Sequence, residues 1–149
     1  MKKIFVTLIV LIVATFLPGC KKDISESAYN DFITKLDEKD FEVVGKDVEE
    51  DILKGERKWL TIDDSENLSV YLYERNEKME EDASYIDEDG CSYNNGKTAY
   101  NISWISWPHF FKADNMIVLY VGENEVILNA IEEIIGVQFA GYSKVQKND

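Results

Sequence analysis

Helical and strand periodicities alternate along this chain, and together they predict an α+β fold: an antiparallel sheet of about five or six strands with two or three helices packed on it. Three observations carry that expectation. Residues 116–121 are six consecutive apolar side chains, the pattern of a central strand covered on both faces. Val126, Ile127, Ala130, Ile131, Ile134 and Ile135 recur at the spacing of a helix with a broad apolar face. Asn95-Gly96 tolerates positive φ and marks a hairpin.

Taken in order, Tyr29, Phe32, Ile33 and Leu36 recur at i, i+3, i+4 and i+7 and predict a first helix, with Ser25 or Ser27 placed to cap it. Residues 41–47 alternate weakly as a strand. Trp59, Leu60 and Ile62 suggest another, and residues 70–73 a third, with Val70 and Leu72 on one face and Tyr71 and Tyr73 on the other. Residues 74–86 are charged and rich in helix formers, with Met79, Ala83 and Ile86 on one stripe, which predicts a surface helix with a narrow buried face. Asn95-Gly96 is expected as a two-residue turn between a strand over 91–94 and a long aromatic arm over 97–107. Pro108 stops that arm or forces it to an edge, and residues 112–115 form a polar turn. Gly122 ends the central strand, Glu123 or Asn124 opens the last helix, and Gly136 closes it.

The beginning of the chain has a different character. Met1-Lys2-Lys3 is positively charged, residues 4–17 are an apolar run of 14 residues interrupted only by Thr7 and Thr15, and no acid occurs before residue 20. That is the layout of a secretory signal peptide. As a helix the run spans roughly 21 Å at ~1.5 Å per residue, short of the ~30 Å hydrocarbon core. Leu17-Pro18-Gly19-Cys20 resembles the bacterial lipobox. The resemblance implies that the Cys20 thiol is joined to diacylglycerol, that the signal is removed, and that Cys20 becomes the new N-terminus. Its palmitate-type acyl chains would then hold the protein on the outer, extracytoplasmic face of a cell membrane. Two such chains anchor stably where one does so only marginally.

The organisation expected from this is a signal peptide over 1–19, a lipidated N-terminus with a short tether over 20–26, a single acidic domain over 27–143, and a polar tail over 144–149. The 130 residues after the signal suit one hydrophobic core. They hold 14 basic against 29 acidic side chains, a formal charge of −15, so nucleic acid is not an expected partner, and any charge-driven partner would be a cationic envelope protein or peptide. With 45% apolar and 12% aromatic residues, this acidity does not signal disorder.

Side chains able to do chemistry are few. With Cys20 assigned to lipid, Cys91 has no intrachain partner and reads as a small buried core cysteine. His109 is the only histidine, so no histidine metal cluster, no metal site and no cofactor are expected. No GxSxG accompanies it, and it reads as a strand-end residue tucked against aromatic neighbours. Asp87-Glu88-Asp89-Gly90 fails the spacing of a calcium loop and reads as a turn. The acidic runs over 47–51 and 80–82 read as solvated faces.

In the stretch 100–111, period two puts Ile102 and Trp104 on one side and Ile105 and Trp107 on the other. If only one face is covered, Trp104, Trp107, His109 and Phe110 form a ligand surface for a sugar, a peptide or lipid; if both are covered, they are core. Trp107-Pro108-His109-Phe110-Phe111-Lys112, residues 117–122, Gly136 and Gln138-Phe139-Ala140-Gly141 resemble a pattern in small Gram-positive lipoproteins of uncharacterised function, which implies surface location and no particular activity. The combined expectation is a non-catalytic binding domain in the cell envelope. The alternatives are a small hydrolase using His109, or an acidic inhibitor of a basic cell-wall enzyme. A hydrolase requires His109 within hydrogen-bond reach of a carboxylate and a nucleophile.

Overall fold

The computed structural model describes residues 24–143. Cys20 and the whole signal segment lie outside the described residues. In chain order the elements are helix α1 (Ser27–Asp37), strands β1 (Val43–Asp47), β2 (Glu56–Ile62) and β3 (Glu66–Leu72), helix α2 (Asn76–Ala83), strands β4 (Ser92–Asn94), β5 (Ala99–Asn101), β6 (Pro108–Ala113) and β7 (Met116–Val121), helix α3 (Glu125–Ile135) and the short strand β8 (Ala140–Gly141). Six strands form one antiparallel sheet in the order β1-β2-β3-β7-β6-β8, and β4 pairs with β5 in a separate hairpin. This is the expected α+β class.

The continuous apolar run of β7 puts it between β3 and β6 and makes it buried on both sides. Val118 and Tyr120 face one layer, in which Phe32 and Leu36 of α1 and Ile127, Ala130 and Ile131 of α3 pack on Leu60, Leu68, Val70 and Phe111. Ile117 and Leu119 face the other layer, where Met79 and Ala83 of α2, Leu53 and Tyr93 cover Tyr71, Tyr73 and Phe110. Both faces are therefore covered, each burying side chains that contribute about 1.5–3 kcal/mol apiece.

Asn124 caps α3 by accepting from Val126 N at 3.0 Å, and Gly136 ends it at φ +115°. The first helix begins differently from expectation: Glu26, not Ser25 or Ser27, occupies its N-cap, and no side chain caps it. Packing starts just before it, since Ile24 lies against the core and the Ser25 carbonyl accepts from Asn115 Nδ2 at 3.1 Å.

The hairpin at Asn95-Gly96 is present, but its loop has four residues. Asn94 pairs with Ala99, Gly96 sits at φ +81°, and Asn95 Oδ1 accepts from the amides of Lys97 and Thr98 at 3.0 and 2.8 Å, which favours the wider loop. The long aromatic arm does not form. Its strand stops at Asn101, and residues 102–107 run as an irregular connection. Local contacts explain why: Ile102 N donates to the Cys91 carbonyl at 2.8 Å, and Trp104 Nε1 donates to the Gly90 carbonyl at 2.8 Å, so the segment is pinned to the Asp87-Gly90 turn. Pro108 opens β6, the interior neighbour of β7, and β8 pairs only with His109 and Phe110.

Candidate functional site

A cleft of about 620 Å³ lies between the end of β6, helix α3 and the chain that follows it, walled by Trp107, His109, Leu128, Val137, Gln138 and Tyr142. Its construction depends on the chain reversing after Gly136. Gly141, at φ +108°, pairs with His109; a Cβ there would sit 2.2 Å from the Pro108 carbonyl oxygen, so only glycine permits the approach. Tyr142 N then donates to that carbonyl at 2.8 Å, and the Tyr142 ring stacks on Trp107 with centroids 4.1 Å apart and planes at 21°.

His109 forms the wall behind this pair and is 5% exposed. Its ring stacks on Tyr120, its register partner on β7, and meets Tyr142 edge-on. Nδ1 lies 2.8 Å from Gln138 Oε1, while Gln138 Nε2 donates to the Tyr142 carbonyl at 2.8 Å. That second bond orients the amide, so Oε1 faces the imidazole and Nδ1 carries the proton. Nε2 is buried without a hydrogen-bond partner. Behind the ring, Tyr120 Oη donates to Glu66 at 2.8 Å and accepts from Asn124 N at 3.1 Å; burial, opposed by that amide and helped by the Glu66 carboxylate, pushes the phenol up to about 12. The wall is thus tied together by hydrogen bonds with Gln138, Glu66 and Asn124.

The mouth has the opposite polarity to a phosphate site: Glu123, Glu125 and Glu132 line it, with no lysine or arginine among the lining residues. Neither nitrogen of His109 is hydrogen-bonded to a serine or a carboxylate.

The structure divides the four aromatic candidates. Trp107, 46% exposed, and His109 share the cleft. Trp104 and Phe110 belong to the opposite layer, packed against each other with centroids 6.1 Å apart; Phe110 is fully buried there and Trp104 is half-buried. Strand alternation explains the split of His109 from Phe110, and the irregular connection explains the split of Trp104 from Trp107. Cys91 is exposed rather than buried, because it sits in the turn after Gly90 with its amide donating to Asp87 at 2.7 Å. Partial burial, then Asp87 and Asp89, push its thiol above the ordinary cysteine value, which weakens it as a nucleophile.

Asp82 is the second correction. It lies in an acidic run expected as a solvated face, yet it is 4% exposed and accepts from Tyr73 Oη, Tyr93 Oη and Lys54 N, each at 2.7 Å. Only its neighbours behave as expected, Glu80 pairing with Lys112 and Glu81 with Lys78 at the surface. A smaller cleft, about 440 Å³, opens beside this carboxylate between Lys54, Tyr73 and Lys97. Because all three partners satisfy Asp82, it works as a structural junction between α2, β3 and β4. Its place beside the stripe of Met79 and Ala83, three residues after one and next to the other, is the signal in the sequence that went unused. The acidic run 47–51 is likewise partly structural. Asp47 and Glu26 each meet Lys58 Nζ at 2.8 Å, and Asp51 accepts from Tyr71 Oη at 2.9 Å and pairs with Arg57 at 3.1 Å.

Among the described residues no group of three or more histidine, cysteine or acidic side chains is arranged to hold a metal ion, and no helix is long and apolar enough to cross a membrane. Compared with protein families, with curated proteins and with solved structures, the chain matches none.

Proposed function

We propose that this is an exported lipoprotein, anchored through lipid on Cys20 to the outer face of a cell membrane, whose domain is a non-catalytic binding module with its ligand site in the Trp107-His109-Tyr142 cleft. The lipobox pattern at residues 17–20 supports the anchor. One observation carries the binding site: a half-exposed indole stacked on Tyr142 opens onto a cleft whose back wall holds the buried, half-satisfied imidazole of His109. Aromatic faces beside a few placed polar groups are the make-up of a ligand site. The imidazole pairs with an amide oxygen and not with a nucleophile or a carboxylate, which favours binding over hydrolysis.

Two measurements test the two halves. Metabolic acyl labelling with membrane fractionation is expected to lose both signals in Cys20→Ala; retention of the variant on the membrane would refute the anchor. A ligand screen against the full-length protein, read on the ring resonances of the single histidine, is expected to give responses that vanish in Trp107→Ala. Responses that persist in that variant would move the site elsewhere.

A further inference from the structure

The chain enters the domain at one end of the sheet, and the cleft lies at the other. Ile24 packs against the layer of α1 and α3, the Ser25 carbonyl accepts from Asn115 Nδ2 at 3.1 Å, and Glu26 meets the ammonium of the buried Lys58 at 2.8 Å. The same Asn115 amide donates to the Tyr73 carbonyl at 2.7 Å, so the entry point is fastened where β3 ends and β7 begins. Trp107 marks the opposite end: its carbonyl accepts from Gly122 N at 3.0 Å, where β7 has just finished and β6 is about to start. Seven residue steps along β7 separate Asn115 from Gly122, about 23 Å at ~3.3 Å per residue.

Resting on the lipid anchor proposed above, we infer that the domain is held with the Asn115 end of its sheet toward the bilayer and the Trp107-His109-Tyr142 cleft away from it, so that the cleft takes a water-soluble ligand from outside the membrane and not a lipid of it. Only residues 20–23 separate the lipidated position from the packed Ile24, which limits the reach of the leash to about 14 Å at ~3.5 Å per residue. The leash is shorter than the sheet. The cleft therefore meets the bilayer only if the domain tips and lays a whole flank on it, and charge opposes that: an anionic head-group layer repels a strongly acidic domain. The mouth of the cleft is itself lined by Glu123, Glu125 and Glu132 with no lysine or arginine, the wrong sign for a lipid phosphate.

The test uses the lipidated protein in vesicles of phosphatidylethanolamine and phosphatidylglycerol, with a thiol-reactive fluorophore placed at either end and a nitroxide carried on the lipid head groups as quencher. Cys91→Ser removes the exposed native thiol, and Arg75→Cys or Glu123→Cys supplies a new one; both positions are exposed, the first two residues after Tyr73 and the second directly after Gly122. The label at position 75 is expected to lose most of its emission, and the label at position 123 to keep it. Ser65→Cys, exposed in the turn between β2 and β3 at the cleft end, repeats the second reading if Glu123→Cys does not fold. Equal quenching at the two ends, as from a domain tumbling on its leash, or stronger quenching at position 123 overturns the inference while leaving the anchor in place. A thiol at position 20 that takes up the fluorophore, with protein that stays free of the vesicles, refutes the lipid anchor itself and the inference with it.

Discussion

Gln138 and His109 face each other across 2.8 Å, and the same amide reaches on to the Tyr142 carbonyl, also at 2.8 Å. One side chain from the segment after α3 thus sets both the tautomer of the imidazole and the position of the aromatic pair. Gln138→Leu removes the acceptor for a buried N–H and the donor for a backbone carbonyl. It is expected to lower stability by about 1–3 kcal/mol, read as a shifted urea midpoint at unchanged m-value. An unchanged midpoint would mean that water replaces the amide without loss.

Asp82 offers a stronger test of the opposite layer. Asp82→Ala deletes the acceptor of two buried tyrosine hydroxyls and of Lys54 N, joining α2 to β3 and β4. With each orphaned donor costing about 1–3 kcal/mol, a loss of at least 3 kcal/mol is expected by chemical denaturation. Tyr73→Phe and Tyr93→Phe remove one donor each and should cost less. The double variant should not be additive, because both hydroxyls share one carboxylate.

These two residues also mark where the sequence was readable and where it was not. β7 keeps its expected bounds, and α3 starts at one of its two expected caps, Asn124, and ends at Gly136, because a continuous apolar run and a helix terminus are local properties. The strand over 97–107 failed because Trp104 is held by contacts across the chain, to the Gly90 carbonyl and the Phe110 ring, that outweigh the β propensity of its own segment. Trp107 and His109 stood out as aromatic and titratable side chains, but Tyr142 and Gln138 did not. Their roles arise only when Gly141 lets the returning chain touch Pro108, a relationship between residues more than thirty positions apart.

Gly141→Ala tests that return directly. The added methyl meets the Pro108 carbonyl oxygen at 2.2 Å, and the backbone at φ +108° is unfavourable for any residue with a Cβ. The expected outcome is a loss of more than about 1 kcal/mol together with separation of Tyr142 from Trp107, seen as a change in indole fluorescence. Ile105→Ser is the matching control: Ile105 is 100% exposed, and the change should stay within about 0.5 kcal/mol.

The buried tyrosines predict how the fold responds to base. Burial raises the Tyr73, Tyr93 and Tyr71 hydroxyls well above the usual phenol value, helped by Asp82 for the first two and by Asp51 for the third, while Tyr120 is raised to about 12. A group whose folded value lies above its unfolded value of about 10 holds more protons folded than unfolded between the two. Its contribution to stability is therefore complete below pH 10 and is lost as the pH climbs through the folded value. Thermal midpoints should stay flat from pH 8 to about pH 10 and fall steeply beyond, with tyrosinate absorbance appearing together with unfolding and not before it. In Tyr73→Phe the starting midpoint should be lower but the alkaline fall shallower, since one of the coupled phenols is gone. A fall of equal steepness in that variant would show that the loss of stability at high pH comes from groups other than the Asp82 junction.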